Sequence, residues 1–259
     1  MRGKVALITG GATGIGKRTA LELAKKGFHI IITYVHSKQL AIELVQQLQN
    51  DYGIKAACYY SDASKEKDCK ALIHSIQQEF EGIDVFVHNA GPYIHERKLM
   101  SEYSIQEWQY MINGNLNSFF YLAQYILPYM RKQKWGRMIT FGFDRSDTAP
   151  GWIYRSAFAA AKSGLTSLTK TLALEEAGNG ITVNMICPGD IIPTWKEKSI
   201  EEAKVVQDES VPVGRPGTGE DIARMVLFLS SDESSFITGS IIPVTGGKDV
   251  LGKIGQFKR

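Results

Sequence analysis

The chain of 259 residues has little net charge: 30 Lys+Arg stand against 27 Asp+Glu, a formal net charge of +3 at pH 7. That near balance leaves no electrostatic footprint for nucleic acid or an anionic membrane, either of which calls for a clustered basic excess. Cysteine is scarce. Cys58, Cys69 and Cys187 are odd in number and widely spaced, with no C-x-x-C, which argues against a disulfide framework or a zinc site and for reduced thiols in a cytosol. Long apolar runs are also missing. No stretch approaches the ~20 residues of a membrane helix, and Ile30-Ile31-Ile32 is short enough for a buried strand. The N-terminus does not read as a signal peptide, because apolar residues from Val5 run straight into Gly10 and Gly11 with no small-residue cleavage site. Nothing has metal-ligand spacing, and no linker, low-complexity tract or repeat breaks the chain. These absences predict a cytoplasmic protein of one domain, residues 1–259, that acts on a small molecule without a metal.

With 44% hydrophobic and 22% charged residues, the chain has the composition of a globular protein large enough to bury a core without staples. Short β-branched runs alternate with amphipathic stretches. Strands are predicted at 4–9, 28–34, 56–60, 85–88, 136–141, 182–186 and 241–244, and helices at 14–26, 38–52, 65–80, 104–131 and 158–177. Apolar strands alternating with helices imply an α/β fold, Rossmann-like and doubly wound, with a parallel sheet of about seven strands covered by helices on both faces. The 104–131 helix carries Trp108, Tyr110, Phe119, Phe120, Tyr121, Tyr125 and Tyr129. A helix apolar nearly all round buries a second face, either under its own chain or, the preferred reading, against a partner in a homodimer or homotetramer.

The first strand runs into Thr9-Gly10-Gly11-Ala12-Thr13-Gly14-Ile15-Gly16 and then a helix. Gly10 permits a tight turn, Gly14 lets backbone approach a pyrophosphate, and Gly16 lets helix and strand sit close. The free N–H groups of the helix start, around Thr13, Gly14 and Ile15, favour phosphate. In a strand–turn–helix context this is a dinucleotide site. Some twenty residues on, where an NAD site wants a carboxylate, no Asp or Glu occurs between Ile30 and Ala41; His36, Ser37 and Lys38 stand there instead. An imidazole, a hydroxyl and an ammonium suit a 2′-phosphate, so NADP(H) is the expected cofactor, with NAD(H) possible; the alternative is that Lys38 is only a solvated charge.

With this glycine spacing the chain resembles the short-chain dehydrogenase/reductase family over essentially its whole length. His88-Asn89-Ala90-Gly91 is similar to the family's Asn-Asn-Ala-Gly, Asn115 to its helix Asn, and Pro188-Gly189-Asp190-Ile191 with Thr194 to its nicotinamide segment. Asp62, with Ala63 beside it, matches its adenine contact, and Ile237-Thr238-Gly239 and Thr245-Gly246-Gly247 its closing strand. The resemblance implies a reductase assembled through two long helices. It also implies a proton donor: a Tyr four residues before a Lys, helped by a Ser. Lys162 is present, but Phe158 stands at the Tyr position and Phe143 at the Ser position.

Tyr154 lies eight residues before Lys162. If the helix extends back, Tyr154 shares its face. The segment Phe143-Asp144-Arg145-Ser146…Tyr154 resembles the enoyl-thioester reductase branch of the family, which moves its Tyr to about seven positions before the Lys. Tyr154 is therefore the candidate donor, with Lys162 and Asn115 as its partners, or else a loop aromatic packed under the substrate lid. Asp144, Arg145, Asp147 and Arg155 could bind a polar or anionic substrate or be plain loop charges. His95 and Glu96 sit where substrate loops lie, and the 193–212 segment reads as a mobile lid. Two functions stand at this point. One is an NADP(H)-dependent reductase of an activated C=C or C=O, with enoyl or 3-oxoacyl thioesters of fatty acid biosynthesis as the leading substrates. The other is a nucleotide-binding protein without turnover.

Overall fold

The structure, a computed structural model, describes residues 3–251. Seven strands form one parallel sheet in the order β3-β2-β1-β4-β5-β6-β7: β1 (Val5–Ile8), β2 (His29–Tyr34), β3 (Ala56–Tyr60), β4 (Val85–His88), β5 (Gly136–Phe141), β6 (Ile181–Pro188) and β7 (Ile241–Val244). The helices are α1 (Gly14–Ala24), α2 (Lys38–Tyr52), α3 (Glu66–Glu79), α4 (Ile105–Ile112), α5 (Ser118–Gln133), α6 (Ser156–Glu176), α7 (Ile200–Lys204) and α8 (Gly219–Leu229). The period-two alternation of each strand divides the core in two. Leu7, Ile31, Phe86, Met138 and Val183 face α3, α5 and α6 through Leu72, Ile76, Phe119, Ile126 and Leu165. Ala6, Ile8, Ile30, Ile32, Val87 and Ile139 face α1, α2 and α8 through Leu23, Leu44, Val226 and Leu229. The chain winds outward from β1 through β3 and then returns to β4 on the other side of β1. The crevice outside the carboxyl ends of β1 and β4 is the topological switch point where such folds bind ligands.

Three features depart from the sequence reading. The aromatic stretch 104–131 is not one helix: α4 and α5 are separated by a π-helical turn, Asn113–Asn117. α8 was not foreseen, although Thr218 and Asp221 form a reciprocal capping box at its start, a signature legible as Thr-x-x-Asp before an apolar run. The lid segment is partly helical, with a single-turn helix at Pro193–Trp195 and then α7. Among the described residues no helix is long and apolar enough to cross a membrane, and no group of His, Cys, Asp or Glu could hold a metal ion.

The ends of β1 and β4 are tied by Thr9, which sequence reasoning passed over. Its buried hydroxyl accepts the backbone N–H of Asn89 at 3.0 Å and of Ala90 at 2.9 Å. Thr9→Val keeps the shape and removes the acceptor. An orphaned buried N–H costs about 1–3 kcal/mol, so thermal unfolding should show a Tm lower by several degrees; an unchanged Tm would mean the tie is dispensable.

Candidate active site

The glycine loop leaves β1 in the left-handed region, with φ of 62° at Gly10 and 60° at Gly14. A Cβ at Gly16 would lie 2.5 Å from the Gly10 carbonyl oxygen, so only glycine allows α1 to approach the strand this closely. Asn89 holds the loop from the β4 side, donating from Nδ2 to the carbonyls of Thr9 at 2.9 Å and Gly10 at 3.1 Å. α1 begins at Gly14 behind Thr13, with no side-chain cap and no acidic residue in its first turn. Its free N–H groups are an anion seat, and an anion sits there. The Glu197 carboxylate, from the segment after β6, accepts the Gly14 N–H at 2.8 Å and pairs with the Lys17 ammonium at 2.9 Å. Burial pushes the Glu197 carboxyl up, but these two donors outweigh it and hold it below its usual range. A site that takes this carboxylate fits a pyrophosphate.

The 2′ end is built differently. His36 and Lys38 are exposed, and α2 starts without a side-chain cap from Ser37 or an acid in its first turn, so nothing there competes for a phosphate. Asp62 closes the β3 side, its carboxylate engaged by the Ser64 N–H and hydroxyl and by Lys65, with Ala63 buried beside it. Beyond β6, Gly189 lies against Thr245, where a Cβ would come within 2.8 Å of the Thr245 Cα. Its N–H donates to the Val244 carbonyl and its own carbonyl accepts the Ile191 N–H, each at 2.9 Å. Pro188 thus ends on a fixed turn, and Thr194 is exposed in the lid that follows.

The floor of the crevice holds polar groups without protein partners. The π-helical turn carries Asn115, whose Nδ2 donates to the carbonyls of Pro92 at 2.9 Å and Met111 at 3.1 Å while its buried Oδ1 accepts nothing. Gly91 is glycine because a Cβ would reach 2.4 Å from that Oδ1. Lys162, on α6, is only 5% exposed, and its ammonium stands 5.7 Å from the centre of the Phe158 ring, with no carboxylate partner among the described residues. Burial pushes it down to about 8, with the Cys187 thiol pulling weakly the other way. His88, at the end of β4, is fully buried. Ser118 Oγ donates to the Gly114 carbonyl and so accepts from His88 Nε2 at 2.7 Å, which leaves Nδ1 unprotonated and unpartnered. Burial, then the Lys162 charge, hold this imidazole well below its ordinary range, and it stays neutral.

Where an acid would be expected there is an aromatic box. Phe143, Trp152 and Phe158 meet with ring centres 5.1 to 6.3 Å apart, and Leu251 closes the cluster. Tyr154 does not share the helix face with Lys162. α6 starts at Ser156, and Tyr154 stands outside it with φ of 63°; its ring lies beside the exposed Arg97, 6.0 Å from the guanidinium carbon. The neighbouring charges are structural. Arg155 donates to the carbonyls of His95, Glu96 and Tyr154 and to the Tyr93 hydroxyl, Arg145 pairs with Asp249 at 2.6 Å, and Asp144 is buried under the Val250 N–H. Asp147 is exposed. Tyr93, unremarked in the sequence, sits against Phe158.

Residues 10–249 match the family model described as Enoyl-(Acyl carrier protein) reductase. The chain is 44% identical over 249 residues to a Bacillus subtilis (strain 168) protein provisionally named oxidoreductase YtkK, covering 96% of this chain and 97% of that one. It is 36% identical over 251 residues to the 3-oxoacyl-[acyl-carrier-protein] reductase FabG of Thermotoga maritima, covering 95% and 98%. Among solved structures, a Bacillus thuringiensis protein provisionally named a 3-oxoacyl-reductase superposes with a TM-score of 0.90 at 45% identity, covering 96% and 100%. A blue fluorescent protein from a metagenomic library, in complex with NADPH, superposes with a TM-score of 0.82 at 30% identity, covering 95% and 98%.

Two outcomes follow from this geometry. Burial pushes Lys162 down to about 8 in the folded protein from its ordinary 10.5, so its burial cost is fully present below that range and fades as pH rises through it. Lys162→Met should therefore raise stability at pH 7 by about 1–3 kcal/mol, with the gap over the unmodified protein closing between pH 8 and 10.5 in denaturant titrations. A destabilised variant would show that the ammonium has partners enough. Glu197→Gln removes the charge that occupies the α1 N-terminus, so NADPH should bind severalfold more tightly by calorimetry; unchanged affinity would place the pyrophosphate elsewhere.

Proposed function

Because the chain belongs to the short-chain dehydrogenase/reductase family and is an NAD(P)-dependent oxidoreductase, we propose that it uses NADPH to reduce an activated C=C or C=O in an enoyl or 3-oxoacyl thioester, the chemistry of fatty acid biosynthesis. One observation carries the reading: the Asn115 carbonyl oxygen is buried at the floor of the crevice without a partner, and the Lys162 side chain is buried with no carboxylate paired to it among the described residues. Buried polar groups are nearly always paired, and these two fit ribose hydroxyls and an ordered water. The glycine loop and the α1 N-terminus would hold the pyrophosphate, His36, Ser37 and Lys38 the 2′-phosphate, Asp62 and Ala63 the adenine side, and the 89–91 and 188–194 segments the nicotinamide. The bound cofactor supplies the hydride. The residues orient it over the crevice, and the lid excludes water above it. Ile105, Trp108, Tyr110 and Phe120 remain exposed on α4 and α5, the face through which the chain would assemble as a dimer or tetramer.

A second reading, a nucleotide binder without turnover, is favoured by the phenyl rings that fill the acid positions. Titration and turnover separate the two. NADPH should bind at least about tenfold more tightly than NADH, since a charge-assisted phosphate contact is worth about 1.5–3 kcal/mol, and Lys38→Asp should erase the difference. NADPH should then be consumed with short enoyl or 3-oxoacyl thioesters. Equal affinities would overturn the cofactor assignment; tight NADPH binding without consumption of either substrate would favour the silent binder.

A further inference from the structure

Phe158 has no proton to give, yet a hydroxyl lies against it. Tyr93, in the loop after β4, meets the Phe158 ring edge to face, with centres 5.0 Å apart and planes at 84°. That is the ring which also neighbours the Lys162 ammonium. The Tyr93 hydroxyl accepts the Arg155 Nε–H at 2.6 Å, so its own hydrogen is available, and no described residue accepts it. Arg155 is the residue just before α6. The spacing 158, 162 sets phenyl and ammonium along one side of that helix, and the Tyr93 ring links them to the guanidinium at its start.

The guanidinium is immobilised and uncompensated. Nη1 donates to the carbonyls of Glu96 and Tyr154 and Nη2 to that of His95, and among the described residues no carboxylate pairs with Arg155. Its charge therefore rests beside the Tyr93 oxygen, hydrogen-bonded to it through Nε. Tyr103, which donates to the Tyr154 carbonyl at 3.3 Å, and Arg155 both grip Tyr154 by its backbone, leaving the Tyr154 ring toward Arg97.

We infer that Tyr93 supplies the hydroxyl absent at position 158, donating its proton to the substrate oxygen that gains charge on reduction. The inference rests on the reductase reading. The hydride adds to the electrophilic carbon of the substrate, C3 in either thioester. The π electrons of the double bond move to the carbonyl oxygen, which is the C3 oxygen of a 3-oxoacyl thioester or the thioester oxygen of an enoyl one. That oxygen takes the proton from the Tyr93 hydroxyl: one O–H bond breaks and one forms. The phenolate stays hydrogen-bonded to Arg155 and is reprotonated from water. With an enoyl substrate, the resulting enol returns to the thioester by moving its proton to C2.

The test compares Tyr93→Phe, Tyr154→Phe and Tyr93→Phe combined with Phe158→Tyr. Turnover of short enoyl and 3-oxoacyl thioesters is followed alongside calorimetric binding of the same thioesters to the NADP⁺ complex. General-acid assistance is typically worth about 10²–10⁴-fold, so Tyr93→Phe should lose that much in kcat with NADPH affinity and Tm retained, and should bind thioester several-fold more weakly. Phe158→Tyr should restore turnover, because it returns a hydroxyl to the Lys162 side of α6. A merely structural clamp between Tyr93 and Arg155 would not be rescued in this way. Unchanged kcat and thioester affinity in Tyr93→Phe, or the loss falling on Tyr154→Phe instead, overturns the assignment. If the unmodified protein binds thioester through Tyr93 without consuming NADPH, the hydroxyl contact stands and the reductase reading falls.

Discussion

An ammonium withdrawn from water and given no carboxylate governs the site. Taking a charge out of water costs several kcal/mol unless the surroundings compensate, and the surroundings of Lys162 are a phenyl ring, a neutral imidazole and a thiol. The fold accommodates that cost because the rest of the molecule is conventional and strong: five inner strands, β1, β2, β4, β5 and β6, are buried almost throughout between the half-buried edge strands β3 and β7, each fully buried Leu, Ile or Phe contributing about 1.5–3 kcal/mol. Around the ammonium the same restraint recurs. His88 is fixed in one tautomer by Ser118, and Asn115 is fixed by two carbonyls, so that both turn a bare acceptor toward the interior. A crevice floor with one unpartnered cation and two unpartnered acceptors is preorganised for a polar guest.

Two carboxylate–cation contacts at the rim have opposite characters. Glu220, buried at the start of α8, joins Arg18 of α1, Arg224 of α8 and the Ile200 N–H of α7; it fastens the lid to the body of the protein at α7. Glu197, half-exposed, touches only the start of α1 and Lys17. The first is shielded and persistent, the second open to screening. The first half of the lid is thus held by a shielded contact at Ile200 and, three residues earlier, by an open electrostatic one at Glu197, over the place where a phosphate would enter.

The architecture was legible because periodicity and punctuation agreed. α2, β3, β4, β5 and β7 fall on the residues the sequence indicated, and most other strands and helices differ by one to three residues at an end. The long aromatic helix was misread for a physical reason: a π-helical turn leaves the apolar pattern continuous across Asn113–Asn117, so composition cannot reveal the break. α8 was missed although its cap was written in the chain. In the site, the glycines, Asn89, Asn115 and Lys162 were readable because each is required by backbone proximity or by motif spacing. The contacts of Tyr93 and Thr9 were not, since they are made with residues 62 and roughly 80 positions away in sequence. Tyr154 was misplaced on a helix because spacing alone does not disclose that the chain turns left-handed two residues before α6.

The π-helical turn sets how this chain tolerates changes in length. It holds one residue more than an α-helical turn would, and that surplus sets the rotation of α5, which packs on the sheet, relative to α4, which packs on α6. Removing one residue between 113 and 117 would regularise the hydrogen bonding and rotate everything beyond it by about 100°. Phe119, Leu122, Ile126 and Met130, all buried, would swing toward solvent while Phe120 and its exposed neighbours turned inward. The Asn115 carbonyl would leave the crevice in the same motion. A substitution at Asn115 would touch the site alone, whereas a single-codon deletion anywhere in the turn would strike the core and the site together.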